Sequence, residues 1–224
     1  MQITLNDVSY SYPGSTQTVL DGVRAVFPVG WTGIIGNNGC GKSTLARIAT
    51  GMLAPDSGTV SPRGLVVAYC EQDATIPPDR LEDFACSWEQ TAVRLRVDLG
   101  VDDDWPWRYD TLSSGQQKRL QVAVALWENP DVLVMDEPTN HVDILTRRAI
   151  LRALAGYRGV GLLISHDREL LDALAGQCLC FEGARVVMRP GGYTQAGEQP
   201  ACDTKTAQRQ RRDAKREAAR IQAE

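Results

Sequence analysis

The chain has 224 residues, 43% hydrophobic and 23% charged, with a net charge of −4. This is an ordinary globular composition, sufficient for one sizeable core or two lobes sharing one. No run of eighteen or more apolar residues occurs and Met1-Gln2-Ile3-Thr4 lacks the charged and apolar regions of a secretory signal, so a soluble, cytoplasmic protein is the expectation.

Six cysteines form no C-x-x-C pair and have only two histidines to help them, so a zinc site is not expected. Cys178 and Cys180 alternate with Leu179 and Phe181 as in a strand, the pattern of buried thiols in a reducing compartment. Charge is uneven. Thr204 to Glu224 holds seven basic and three acidic residues, leaving about −8 on the preceding body.

Ile3, Leu5, Val8, Tyr10 and Tyr12 are spaced for short strands broken at Pro13-Gly14-Ser15, and Val23 to Phe27 and Trp31 to Ile35 supply two more. Tyr12, at a strand end, suits stacking on an adenine base; spacing alone fits a half-buried strand tyrosine equally well. Gly36-Asn37-Asn38-Gly39-Cys40-Gly41-Lys42-Ser43-Thr44 lies between the strand to Ile35 and the helical run Leu45 to Thr50 and matches G-x-x-x-x-G-K-S. The glycines let successive N–H groups point at phosphate oxygens, and the helix adds the positive end of its dipole. Lys42 supplies a point charge at the β and γ phosphates of a nucleoside triphosphate, and Ser43 a hydroxyl for Mg²⁺, though alone the loop says only that a nucleotide is bound.

Pro55-Asp56-Ser57-Gly58 reads as a turn and Leu65 to Cys70 as a buried strand ending in Glu71-Gln72. Gln72 is placed to reach a ligand at the carboxyl edge of a parallel sheet, though taken alone it is an ordinary polar strand terminus. From Asp79, proposed as N-cap, Leu81, Phe84, Ala85, Trp88, Ala92, Leu95 and Leu99 share one helical face. Trp105 and Trp107 read most simply as packing anchors, with an exposed partner-docking site as the alternative. Leu112-Ser113-Ser114-Gly115-Gln116-Gln117-Lys118-Arg119 precedes a helix from Leu120 to Glu128, and its small residues suit phosphate as well as ordinary capping.

Val132 to Glu137 is an apolar strand ending in two carboxylates. Asp136 is suited to hold Mg²⁺ and Glu137 to polarise the water attacking the γ phosphate. Val160 to Ser165 forms another buried strand ending in His166-Asp167, where His166 can donate to the γ phosphate and orient that water. Gln177 to Phe181 and Ala184 to Arg189 read as a closing hairpin around Glu182-Gly183.

Taken together, Gly36 to Thr44, Gln72, Leu112 to Gln116, Val132 to Glu137 and Ser165-His166-Asp167 resemble an ATP-binding cassette over roughly residues 1 to 190. The resemblance implies an α/β fold of the P-loop NTPase type, with a RecA-like core, an antiparallel β subdomain and a helical subdomain at about 76–130. It implies nucleotide contacts from Tyr12, Asn38, Gly39, Cys40, Gly41, Lys42, Ser43 and Thr44, metal contacts from Ser43, Gln72 and Asp136, and catalytic roles for Glu137 and His166. Ser113, Ser114, Gly115 and Gln116 then form a signature loop that completes a partner's ATP site, and Asp143 falls in the D-loop.

Glu137-Pro138-Thr139-Asn140-His141-Val142-Asp143 is similar to the soluble ABC-F family, whose members carry two cassettes in one chain and act on ribosomes. The segment 191–224, entered at Gly191-Gly192-Tyr193, resembles the start of its basic helical linker, with Arg209, Arg211, Arg212, Lys215 and Arg216 placed for ribosomal and transfer RNA phosphates. The expected function is ATP hydrolysis coupled to ribosome binding, in translation regulation or antibiotic resistance, slow in a single cassette. The alternatives are a transporter's ATP-binding subunit and an ATP-gated binding module. Ser114 replaces the usual signature glycine and Cys40 a usually small residue. A second cassette, from the missing half of a longer chain or from a homodimer, is the expected partner.

Overall fold

The computed structural model describes residues 1–196 apart from 16, 141, 183 and 184. Residues 197–224 of the linker-like segment, Cys202 among them, and His141 lie outside the described residues.

Strands β1 (Gln2–Ser11) and β2 (Thr18–Pro28) open the chain, and β3 (Gly30–Ile35) leads into helix α1 (Lys42–Ala49). After β4 (Ser57–Ser61) and β5 (Val67–Cys70) come α2 (Leu81–Cys86), α3 (Gln90–Leu99), a 3-10 segment (Trp105–Thr111) and α4 (Ser114–Trp127). The alternating part resumes with β6 (Val132–Asp136), α5 (Ile144–Ala155), β7 (Val160–Ile164), α6 (Arg168–Leu174), β8 (Ala175–Glu182) and β9 (Arg185–Pro190).

Two sheets result. One is antiparallel in the order β2-β1-β4; the other runs β5-β6-β7-β3-β8-β9, parallel except for the β8-β9 pair. Strands β6 and β7 are buried on both faces, as continuous apolar runs require. Their period of two divides them between two cores. Leu133, Met135 and Leu163 pack with Phe84, Leu99 and Leu120 of the helical region, whereas Val132, Val134, Leu162 and Ile164 pack with α1 and with Ile3, Leu5 and Phe27 of the antiparallel sheet. Trp31 of β3 fixes one close approach. Its ring covers Gly161, its register partner on β7, where a Cβ would sit 2.4 Å from the ring, and its Nε1 donates to Leu154 O at 3.0 Å.

The helical region departs from expectation. The single amphipathic face from Leu81 to Leu99 is cut at Ser87, whose backbone is extended, so α2 and α3 are separate and Trp88 is 86% exposed. The first helix is capped at Arg80 without a side-chain bond, not by Asp79. Arg96 explains the break: its guanidinium is buried and donates to Phe84 O and Ser87 O, each at 2.8 Å, satisfying the carbonyls that a continuing helix would have bonded. Only one of the paired tryptophans is a packing anchor, since Trp105 is buried and Trp107 is 61% exposed. Helix α4 starts at Ser114, six residues before the expected Leu120. Strand β4 was not expected: its short, mostly exposed sequence carries little signal, and it exists because β1 offers it an edge.

Candidate functional site

Parallel strands deliver their carboxyl ends to one edge, and loops leaving that edge carry the chemistry. The chain after β3 wraps into the Gly36–Thr44 loop and enters α1 through Gly41, which has φ +106 and whose Cβ would strike Val19. Lys42 is buried at the helix start, and its Nζ donates to Gly36 O at 2.9 Å and Asn37 O at 3.0 Å. The ammonium thus sits inside the loop's own curve, beside the N–H groups of the α1 terminus. Tyr12 arrives from the end of β1. Its hydroxyl shares a 2.7 Å hydrogen bond with Thr44 Oγ1, and its ring, 49% exposed, stands edge-on to Tyr10 at the rim.

Strand β6 contributes both carboxylates. Asp136 is buried and accepts a 3.1 Å hydrogen bond from the Tyr69 hydroxyl. Glu137 takes a left-handed φ of +48, unusual for a glutamate, and its N–H donates to Ile164 O at 2.8 Å, so the turn is held against β7. The Glu137 carboxylate accepts from the His166 backbone N–H at 3.3 Å and lies 3.6 Å from His166 Nε2. That same nitrogen is 3.0 Å from Asn38 Oδ1 on the phosphate loop. Burial pushes the Glu137 carboxyl above its ordinary value, against the smaller opposing effects of the His166 contacts and Lys42. Glu137 is therefore a better proton acceptor than a surface glutamate.

Tyr12, Asn38, Gly39, Gly41, Lys42, Ser43, Thr44, Gln72, Asp136, Glu137 and His166 line one cleft of about 680 Å³. Cys40 does not: its sulfur turns beneath the loop, within 2.7 Å of where a Cβ on Gly36 would stand. Val19, Asn140 and Ile164 line the cleft without having been singled out as site residues. Asn140 lies within a motif string already noticed, whereas Val19 and Ile164 carry no local mark. Tyr69 was also missed, because a strand tyrosine acquires this meaning only when β5 is laid beside β6.

The Ser113 to Gln116 group lies outside that cleft. Ser113 caps α4 in a reciprocal box with Gln116, whose N–H donates to Ser113 Oγ at 3.4 Å while Gln116 Oε1 accepts from Ser113 N at 2.9 Å. Ser114 lines a neighbouring hollow with Gln72 and Asn140, and Gly115 faces Asp143 and Thr146. Asp143 caps α5, accepting from the N–H groups of Leu145 and Thr146.

The donor set fits Mg²⁺. Ser43, Gln72 and Asp136 line the cleft beside the loop built for phosphates and each can offer an oxygen, and a site with one carboxylate is how Mg²⁺ is held when substrate phosphates supply other ligands. Among the described residues no group of three or more His, Cys, Asp or Glu forms a metal cage. Nor is any described helix long and apolar enough to cross a membrane.

Comparison with known proteins agrees with this geometry. Residues 25–140 match the family described as ABC transporter. The chain is 34% identical over 206 residues to the ATP-binding protein Uup of Escherichia coli, covering 86% of this chain and 32% of that protein. It is 33% identical over 196 residues to the ribosome protection protein VmlR of Bacillus subtilis, covering 86% of this chain and 33% of that one. The chain thus spans about a third of the length of these relatives. A solved structure titled as the ATP-binding subunit of an ABC transporter superposes with a TM-score of 0.69 at 21% identity, covering 85% of this chain and 90% of that one, which establishes likeness of fold. The phosphate loop, the strand-end carboxylates and these matches place the chain in the ATP-binding cassette family, with ABC-F proteins as its relatives.

Proposed function

We propose that this cassette binds ATP with Mg²⁺ in the cleft between Tyr12 and His166, hydrolyses it in alliance with a second cassette, and couples that cycle to ribosome binding. The observation that carries the reading is the Glu137 carboxylate, partly buried and held by His166 across from Lys42 and Asn38. The loop N–H groups and Lys42 bind the triphosphate, and the rim tyrosine Tyr12 takes the base. Bound Mg²⁺, held by Ser43, Gln72 and Asp136, would neutralise phosphate charge. Glu137 accepts the proton of the attacking water, and His166 orients Glu137 through its backbone N–H. Ser113 to Gln116, outside this cleft, serve the ATP of the partner cassette, with Asp143 beside them. On this reading a lone cassette turns over slowly. The name of VmlR supports the ribosomal part of the proposal.

The test pairs two measurements on this chain. Glu137→Gln is expected to retain ATP binding and to lose about 100-fold or more in turnover, and, supplied with a second cassette in the same chain or as a dimer, to sediment with ribosomes in ATP but not in ADP. Undiminished hydrolysis by Glu137→Gln would remove the catalytic assignment. Absence of ATP-dependent sedimentation would remove the ribosomal one.

A further inference from the structure

Asp136 ends a strand whose neighbour, β5, lies in parallel register with it, Tyr69 opposite Val134. This offset lets the Tyr69 side chain reach along the sheet edge to Asp136 Oδ2, at 3.1 Å. The phenol must be the donor, since a carboxylate has no proton to give. It fills one acceptor position and stops the carboxylate from rotating about its last torsion. Tyr69 is itself fixed. The Arg47 guanidinium lies 5.7 Å from the centre of its ring, and Arg47 is tied to both oxygens of Glu71 at 3.1 and 3.0 Å. Arg47 comes from α1, five residues after Lys42, and Glu71 precedes Gln72. Ser43, Arg47, Tyr69, Glu71, Gln72 and Asp136 all line a second groove, of about 920 Å³, which shares Ser43, Gln72 and Asp136 with the nucleotide cleft.

We propose that Tyr69 is a positioning residue for the metal-holding carboxylate: it locks Asp136 in the orientation that receives Mg²⁺ with the nucleotide, and Arg47 and Glu71 hold Tyr69 in place. The proposal rests on the Mg·ATP reading of the cleft. Partners just beyond a metal's direct ligands set ligand orientation, and their loss typically weakens metal affinity about 10- to 100-fold. Tyr69→Phe keeps the ring, its packing and its place in the sheet, and removes only the donor.

The test measures binding of a fluorescent ATP analogue to this chain in excess EDTA and across a Mg²⁺ titration, for the wild type, Tyr69→Phe and Asp136→Asn. The expected result is unchanged affinity in EDTA for Tyr69→Phe, with the Mg²⁺ concentration for half-maximal enhancement raised about tenfold. A Mn²⁺ titration followed by electron paramagnetic resonance should show the same displacement without any turnover. An unchanged Mg²⁺ requirement in Tyr69→Phe overturns the role of Tyr69 while leaving the cleft assignment standing, provided that wild-type binding is metal-enhanced and Asp136→Asn abolishes the enhancement. Loss of affinity in EDTA as well as in Mg²⁺ also overturns it, since Tyr69 would then support the cleft as a whole. If even the wild type shows no metal enhancement, the Mg·ATP reading fails and this proposal with it.

Discussion

Lys118 offers the sharpest test of how the helical region is tied to the nucleotide cleft. The side chain leaves α4, is only 3% exposed, and its ammonium donates to Glu71 O at 2.7 Å, Gln72 O at 3.1 Å and Gln121 Oε1 at 2.8 Å. All three of its protons are used, and the backbone bearing Gln72 hangs from them. Lys118→Met preserves the length of the stem and deletes the donor. Three partly or fully buried acceptors, at about 1–3 kcal/mol each if left unsatisfied, set an upper bound near 9 kcal/mol. Two effects reduce it. The variant no longer desolvates an ammonium, itself a cost of several kcal/mol, and Lys118 borders the hollow shared with Gln72, through which water reaches the freed carbonyls. A net loss of about 2–3 kcal/mol follows, which for a chain of this size lowers Tm by roughly 5–10 °C.

Thermal unfolding followed by circular dichroism measures this directly, and pH adds an independent check. Burial holds the Lys118 ammonium below its ordinary pKa of 10.5. Between the lowered value and 10.5 the unfolded chain binds the proton that the folded chain has released, so this group makes stability rise with pH there. The wild type should therefore gain on Lys118→Met as pH climbs through that window. Equal melting of the two proteins at neutral pH would refute the reasoning, since the ammonium's desolvation would then cancel everything its hydrogen bonds supply.

Three further outcomes are expected. Glu137 has a folded-state pKa raised above 4.5 by burial, so it favours the folded chain below 4.5 and loses that contribution as pH rises through the raised value; Glu137→Gln should melt above the wild type at neutral pH, with the gap closing as pH falls towards 4.5, and a lower melting point at pH 7 would contradict this. Gly161→Ala drives a methyl to 2.4 Å from the Trp31 ring and should cost about 1–3 kcal/mol of unfolding free energy in urea titrations, with full wild-type stability as the contrary result. Tyr12→Ala should weaken ATP binding by about 1–3 kcal/mol, the range for losing a stacked base, while leaving inorganic triphosphate binding nearly unchanged; equal losses for both ligands would move Tyr12 from the base to the phosphates.

What the sequence disclosed follows a physical division. Gly36 to Thr44, Asp136, Glu137 and His166 were legible because each is a short string following an apolar run, and a parallel sheet sends all such strand ends to one edge. Their proximity needed no knowledge of side-chain packing. The helical region is different, since its outline depends on contacts between residues far apart in the chain. Apolar spacing continues across Ser87, yet Arg96, nine residues on, takes up its carbonyl and ends the helix there. Arg119 likewise closes α3 from α4, donating to Leu99 O at 3.1 Å and Gly100 O at 3.0 Å. Both are arginines on a helix, which a reading by periodicity assigns to a solvated face. The same limit hid Tyr69, whose partner Asp136 lies sixty-seven residues away on the next strand. Residues that meet a ligand through backbone loops are written locally, whereas residues that hold those loops in place are written in the pairing of strands and helices. It is among these supporting residues, Tyr69 and Lys118 first, that the structure adds most to what the motifs already said.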